Sequence, residues 1–477
     1  MKNSLAKNAI FNTLYKILNV VFPLFSATYV ARVLLPEGIG KISYVQNIVS
    51  YFSLIAALGI PIYGVREISK CRDNQKETNK IFTEIFLINF ISTLLCSIIF
   101  YSRVFLFETE ERNLYIICGL VILLNFLNID WFYQGKEEYT YIAIRSSLIK
   151  LFALIALFFL VKEQKDYLMY ALITSVATGG NYIFNIIHVR KYVKLDFSNL
   201  DLRHHMKSIL MLVVCTLAVE LYSKVDILML GNMCDYQIVG YYTNAHKLVN
   251  LVLTFTTSIS AIFLPRISYY YQTDKKSYQK FVTIGLNIAL FFSTPCFFGL
   301  ILVADQLVYV LFGTAFLSAV PTIQILSVLV LIKSLGDIAC YQVIVSSGKE
   351  KTLVIAYIAA ASVNVLLNMF LIPQYHQNGA AVASVISEFL ANGILLLVSS
   401  RVVKLRLTKR MLASVSVGIV AMVAGVAAVN LFIDQKILSL ACSVAIGCIC
   451  YVVVNFFCKN EVLVMITVKL KSILKRG

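Results

Sequence analysis

Charge is what this 477-residue chain has least of. Asp, Glu, Lys and Arg make up 14% of it, where a soluble globular domain carries about 25%, and apolar residues make up 59%. That excludes a soluble fold and predicts an all-α polytopic membrane protein. Histidine is scarce too: there are five, two of them adjacent (His204 and His205), and none forms a metal-binding motif. Seven prolines and one tryptophan add little. The eleven cysteines are odd in number. Most sit inside apolar runs, as Cys96, Cys118, Cys215, Cys296, Cys340 and Cys442 do, and read as small interior hydrophobes.

Also missing is any connection long enough to fold as a soluble domain. The longest, 187–208, has no room for an ATPase module, and the Gly-Lys of SSGKEKT (346–352) lacks the upstream glycine of a phosphate-binding loop. The net charge of +17 is the cationic excess of cytoplasmic loops rather than a nucleic-acid footprint, because no basic patch interleaved with aromatics accompanies it.

What the chain has is apolar runs. A span takes about 20 mostly apolar residues, and fourteen runs qualify: 10–31, 42–64, 81–101, 114–133, 143–161, 167–187, 209–231, 239–264, 281–302, 322–345, 353–372, 380–399, 411–433 and 437–457. The first carries Lys16 at its middle and reads as a span, not a signal peptide. Of the 42 Lys and Arg, 29 fall on the termini and the even-numbered connections, 7 on the odd-numbered ones and 6 within spans. This bias places both termini in the cytoplasm.

An internal repeat supports the count. Gly40 and Arg66 bracket the second span with the spacing at which Gly240 and Arg266 bracket the eighth, and Gly-Lys-Glu precedes the fifth span (135–137) and the eleventh (348–350). Spans one to six thus correspond to spans seven to twelve. Two six-helix lobes, 1–200 and 201–405, are expected in the same orientation, related by a pseudo-two-fold along the membrane normal. Residues 406–477 add two helices and a tail.

Charges inside spans are costly unless they face protein or water, so they mark candidate functional residues. In the first span Asn8, Asn12, Lys16, Asn19, Pro23 and Ser26 line one helical face, which reads as a helix seam or a cavity wall, with Lys16 favouring the cavity. In the fifth, Arg145 reads as an interfacial residue that snorkels or as part of the cavity, and Lys150 lies deeper. In the seventh, Glu220 and Lys224 stand at i,i+4 in ion-pair order; Asp226 has no partner on its own helix. Lys247 lies in the eighth. Lys333 and Asp337 in the tenth repeat the i,i+4 spacing, and Glu388 stands alone in the twelfth. Two self-neutralised pairs leave Lys16, Lys150 and Lys247 as net cationic residues, suited to a phosphate or pyrophosphate head group. Asp226 and Glu388 are candidates for ion coupling.

Three stretches resemble a known family: ARVLLPEGIGKISYVQNIVSYFSLIAALGIPIYGVREIS (31–69), DWFYQGKEEYTYIAIRSSLIK (130–150) and YSKVDILMLGNMCDYQIVGYYTNAHKLVN (222–250). They resemble the polysaccharide (O-antigen or capsule repeat-unit) flippases of the multidrug/oligosaccharidyl-lipid/polysaccharide exporter superfamily. The resemblance runs over essentially the whole chain. It implies alternating access between two six-helix lobes, an undecaprenyl-pyrophosphate-linked oligosaccharide as substrate, a bacterial cytoplasmic membrane, no cofactor and no covalent chemistry. The candidate substrate-binding set is then Lys16, Arg145, Lys150, Lys224, Asp226 and Lys247, with a polysaccharide polymerase and glycosyltransferases as candidate neighbours. Two alternatives stand beside this reading. A multidrug antiporter of the same superfamily needs a mainly acidic lumen. A membrane-embedded polymerase or glycosyltransferase needs a sizeable outward loop, and here the outward loops run to about ten residues, as in 102–112.

Overall fold

The computed structural model describes the backbone of residues 2–405 and 407–474, and the side chains of these positions except 2–24, 215, 218, 219, 466 and 469–474. Helices account for its regular structure, and no strand occurs among the described residues. Nine helices among them are long and apolar enough to cross a membrane, and helix covers most of each of the fourteen expected spans. The chain divides into two compact units, Met1–Gly231 and Asn232–Gly477.

The first unit comprises α1 (Lys2–Ala57), α2 (Ile60–Lys70), α3 (Gln75–Phe107), α4 (Arg112–Leu123), α5 (Asp130–Gly135), α6 (Tyr139–Leu160), α7 (Tyr167–Val189) and most of α8 (Leu202–Met233). At 56 residues, α1 measures about 84 Å, far beyond the roughly 30 Å of bilayer hydrocarbon. It is two spans, broken at Leu35 (φ 59°, ψ 175°). Pro36 follows, and the residue before a proline is barred from the helical region. Helix α2 starts at Ile60 after the left-handed Gly59, with Pro61 in its first turn. It buries Ile60, Tyr63 and Ile68 and presses Gly64 against Trp131 of α5, so closely that a Cβ there would lie 2.4 Å from the indole. Helix α8 runs antiparallel to the second arm of α1 and the turn after it, meeting them through Gly59 and Leu212, Asn47 and Lys224, and Tyr44 and Gly231 in turn.

The expected fourth span, 114–133, is corrected here. Helix α4 stops at Leu123, a 3₁₀ turn covers Asn125–Leu127, and α5 begins at Asp130. The polar run NFLNID (125–130) is the cause. The Asn125 amide donates to the Ser53 carbonyl at 2.6 Å, and the Asn125 carbonyl accepts from the Asn89 amide at 3.4 Å. The Asn125 carbonyl also takes the Asn128 N–H at 2.8 Å, and the Ile129 N–H goes to the Leu127 carbonyl, so the helical bond between 125 and 129 is not made.

The second unit comprises α9 (Tyr236–Ala261), α10 (Leu264–Thr273), α11 (Lys275–Phe312), α12 (Val320–Gly336), α13 (Val343–Ser346), α14 (Lys351–Ser399), α15 (Lys409–Phe432), α16 (Lys436–Phe457) and α17 (Glu461–Leu474). A π-helical turn, Asp337–Gln342, joins α12 to α13. Helix α14 holds two expected spans, parted at His376 (φ 50°, ψ −129°) three residues after Pro373. The connection between spans 353–372 and 380–399 is therefore a one-residue break. Helices α15 and α16 pack on α11, where the Tyr451 hydroxyl donates to the Phe291 carbonyl at 2.9 Å.

Candidate substrate-binding residues

In the first unit the seam between α1 and α8 gathers polar groups. Lys224 forms an ion pair with Glu220, as the i,i+4 spacing predicts, and its ammonium donates to Ser50 Oγ at 3.4 Å. Asn47 Nδ2 donates to the Lys224 carbonyl at 3.1 Å. Asp226 is buried. Asn47 Oδ1 and the Tyr51 and Ser53 hydroxyls are buried with no hydrogen-bond partner among the described residues. Orphaned polar atoms of this kind call for a water or a ligand. The Lys224 side chain is 40% exposed, so its charge remains within reach of an incoming anion.

Arg145 is buried rather than interfacial. Its Nη2 donates to Asp130 Oδ1 at 2.9 Å and Oδ2 at 3.3 Å, and its Nε to Asn181 Oδ1 at 3.1 Å. Asn185 Nδ2 closes the network on Asp130 Oδ1 at 2.8 Å. Snorkelling is corrected by this pair: a counter-ion inside the unit removes the reason to reach for water. Lys150 lies half-buried, more than a turn further along α6. The side chain of Lys16 lies outside the described residues.

In the second unit the tenth-span pairing is corrected. Lys333 bonds Glu388 of α14 at 3.1 Å, not Asp337. Asp337 opens the π turn and accepts from Gln342 Nε2 at 2.9 Å, which also donates to the Ser260 carbonyl at 2.9 Å. Glu388 is buried and does not stand alone; Asn392 Nδ2 reaches its Oε1 at 2.9 Å. Gly336 makes room for that amide, since Asn392 Oδ1 lies 1.8 Å from where a Cβ would stand. Lys247 on α9 is exposed and has no hydrogen-bond or ion-pair partner among the described residues.

Sequence reasoning missed Asn47, Ser50 and Tyr51, and with them Asp130 as the partner of Arg145. Asn47, Ser50 and Tyr51 stand at i, i+3 and i+4 in an apolar run, the same one-face signal that singled out the first span.

The sequence matches the family described as "Polysaccharide biosynthesis protein" over residues 5–271, more than half of the chain. It belongs to this family. This member of the family is 23% identical over 401 residues to the "Putative O-antigen transporter" of Escherichia coli (strain K12), covering 83% of this chain and 97% of that protein. It is 29% identical to the "Probable flippase AglR" of Haloferax volcanii over 36% of each chain. Among solved structures it shares its fold with "Lipid II flippase MurJ, inward closed conformation", at a TM-score of 0.78 and 16% identity over 95% of this chain and 100% of that one. An inward-facing MATE multidrug resistance transporter follows at 0.62 and 14% identity, over 83% and 98% of the two chains. Family and fold agree on a multi-pass all-α membrane protein.

Proposed function

We infer that the chain is a flippase that carries a lipid-linked oligosaccharide across its membrane for surface polysaccharide synthesis, a transporter with no covalent chemistry of its own. The observation that carries this is the family match, together with a relative named as an O-antigen transporter that aligns along 97% of its own length. The multidrug alternative has only likeness of fold at 14% identity behind it.

In this reading the membrane is the bacterial cytoplasmic membrane, both termini are cytoplasmic, and the substrate is an undecaprenyl-pyrophosphate-linked repeat unit. The lipid tail stays in the bilayer. Lys16, Lys150, Lys224 and Lys247 hold the pyrophosphate; Arg145, already held by Asp130, positions its surroundings. Asp226 and Glu388 are the residues proposed for ion coupling. Outward movement of an anion runs down an inside-negative potential, which supplies about 2.3 kcal/mol per charge per 100 mV. The working lobes are 1–200 and 201–405, and a polymerase and glycosyltransferases are the proposed neighbours.

The test is surface polysaccharide in cells that depend on this protein. Replacing Lys16, Lys150 and Lys247 together by alanine is expected to abolish it at normal protein levels. Wild-type polysaccharide from the triple variant rules out the pyrophosphate role, and drug resistance without polysaccharide on overexpression moves the reading to the multidrug class.

A further inference from the structure

Outside the seam described above, one chain of titratable groups is buried at the opposite end of α8. His205, in the first turn of that helix, places Nε2 2.8 Å from Glu84 Oε2 of α3 and Nδ1 2.5 Å from the Tyr63 hydroxyl of α2. Tyr63, Glu84 and His205 are 2%, 3% and 3% exposed. Glu84 Oε1 accepts the Asp201 backbone N–H at 2.7 Å. Three separate elements therefore meet on one imidazole.

The groups facing it are few. From α3 comes Lys80, 4.0 Å from Glu84. From α2 come Arg66 and Glu67, which pair with each other at 2.9 Å. Just before α8 lies Asp201, and in its first turn His204, whose ring centroid is 5.4 Å from that of His205. The remaining surroundings are apolar, with Ile68, Phe82, Trp131 and Ile209 in the same core.

We propose that Glu84, His205 and Tyr63 form a proton-binding site at this end of the first unit, and that its occupancy shifts the hold on α8 from α2 to α3. The geometry gives the direction. With neutral imidazole, Nε2–H donates to Glu84 and Nδ1 accepts from the Tyr63 hydroxyl, so every polar atom of the chain is satisfied. A proton from water adds a second N–H, at Nδ1. The bond to the Glu84 carboxylate gains a full positive charge on its donor and tightens into an ion pair. The tyrosine hydroxyl must now accept, and its own hydrogen is left buried with nothing in the chain to receive it. Acid thus strengthens α8 to α3 and weakens α8 to α2. Because α8 also carries Glu220, Lys224 and Asp226, the proton acts on the helix that bears the candidate site. In the proposed orientation this end faces the cytoplasm.

The test uses the full-length protein in lipid nanodiscs and needs no transport assay. Amide hydrogen exchange is read at about pH 5 and about pH 8, the window in which an imidazole changes charge, and corrected for the chemical exchange rate. Peptides of α2 are expected to exchange about fivefold faster at the lower pH, the ratio that one lost hydrogen bond gives, while peptides over 202–209 slow. His205→Gln, which keeps a donor but does not titrate, removes both changes. Tyr63→Phe removes the α2 change and keeps that of α8. No pH difference in wild-type α2, or a difference that survives in either variant's α2, overturns the proposal. If His205→Gln does not fold, Tyr63→Phe alone decides it.

Discussion

Arg145 shows how a single charge is held inside this protein. Its guanidinium side chain is 5% exposed and that of Asp130 31%, so the pair is only partly withdrawn from water. Removing one member of a buried pair costs about 3–5 kcal/mol, chiefly because the other charge is left behind, and the exposure of Asp130 puts Arg145→Met at about 3 kcal/mol, the low end of that range. Arg145→Met with Asp130→Asn is expected to recover more than half of the loss in thermal unfolding of the purified protein. Additive losses would mean that the two side chains are not coupled. The same scale marks the limit of sequence spacing. Lys224 pairs with Glu220 as i,i+4 predicts; Lys333 has the same spacing to Asp337 and pairs with Glu388 instead. Spacing reports what a regular helix brings together. At Asp337 the helix turns π, and a carboxylate 55 residues beyond Lys333 is brought in by packing, which no local pattern encodes.

At the level of elements, the units repeat an order: a span, a short helix opened by a proline (Pro61, Pro265), then a long helix with a side-chain N-cap (Asn74, Asp274). The repeat was legible in Gly40, Arg66, Gly240 and Arg266, and the caps, 200 residues apart, carry it further. The break between α4 and α5 is written in NFLNID, but the apolar residues around it satisfy a span on composition alone and mask it. The two caps differ in chemistry, which makes them separable. Asp274 accepts from the Ser277 hydroxyl at 2.6 Å and from the Lys276 and Ser277 N–H groups, and these bonds hold its carboxyl below the ordinary carboxylate range. A lowered folded value means that the stabilisation is full above the ordinary value of about 4 and fades as pH falls through the folded one. The effect of Asp274→Ala on amide exchange over 275–279 should therefore be large at neutral pH and vanish in acid. Asn74→Ala, which removes an uncharged cap worth about 1 kcal/mol, should change exchange over 75–79 in acid as well as at neutral pH.

Across the whole molecule, charge counts carry the orientation. Of the 42 Lys and Arg, 29 lie on one set of connections and termini and 7 on the other, and that alternation holds only if 14 spans are crossed in the assigned order. A span too many or too few would move every later connection to the other side and mix the two sets. The long helices test this most sharply, because α1 and α14 each hide two spans behind a single-residue break at Leu35 and His376. Alkaline phosphatase fusions check it, since that reporter folds only where its disulfides form. In a bacterial host, fusions at Glu110 and Tyr375 are expected to be active, and fusions at Lys194, Lys349 and the C-terminus inactive. Activity at Lys349 together with silence at Tyr375 would mean that a span before α14 has been miscounted. An active C-terminal fusion beside the expected result at Lys349 and Tyr375 would confine the error to α14's second arm, α15 and α16.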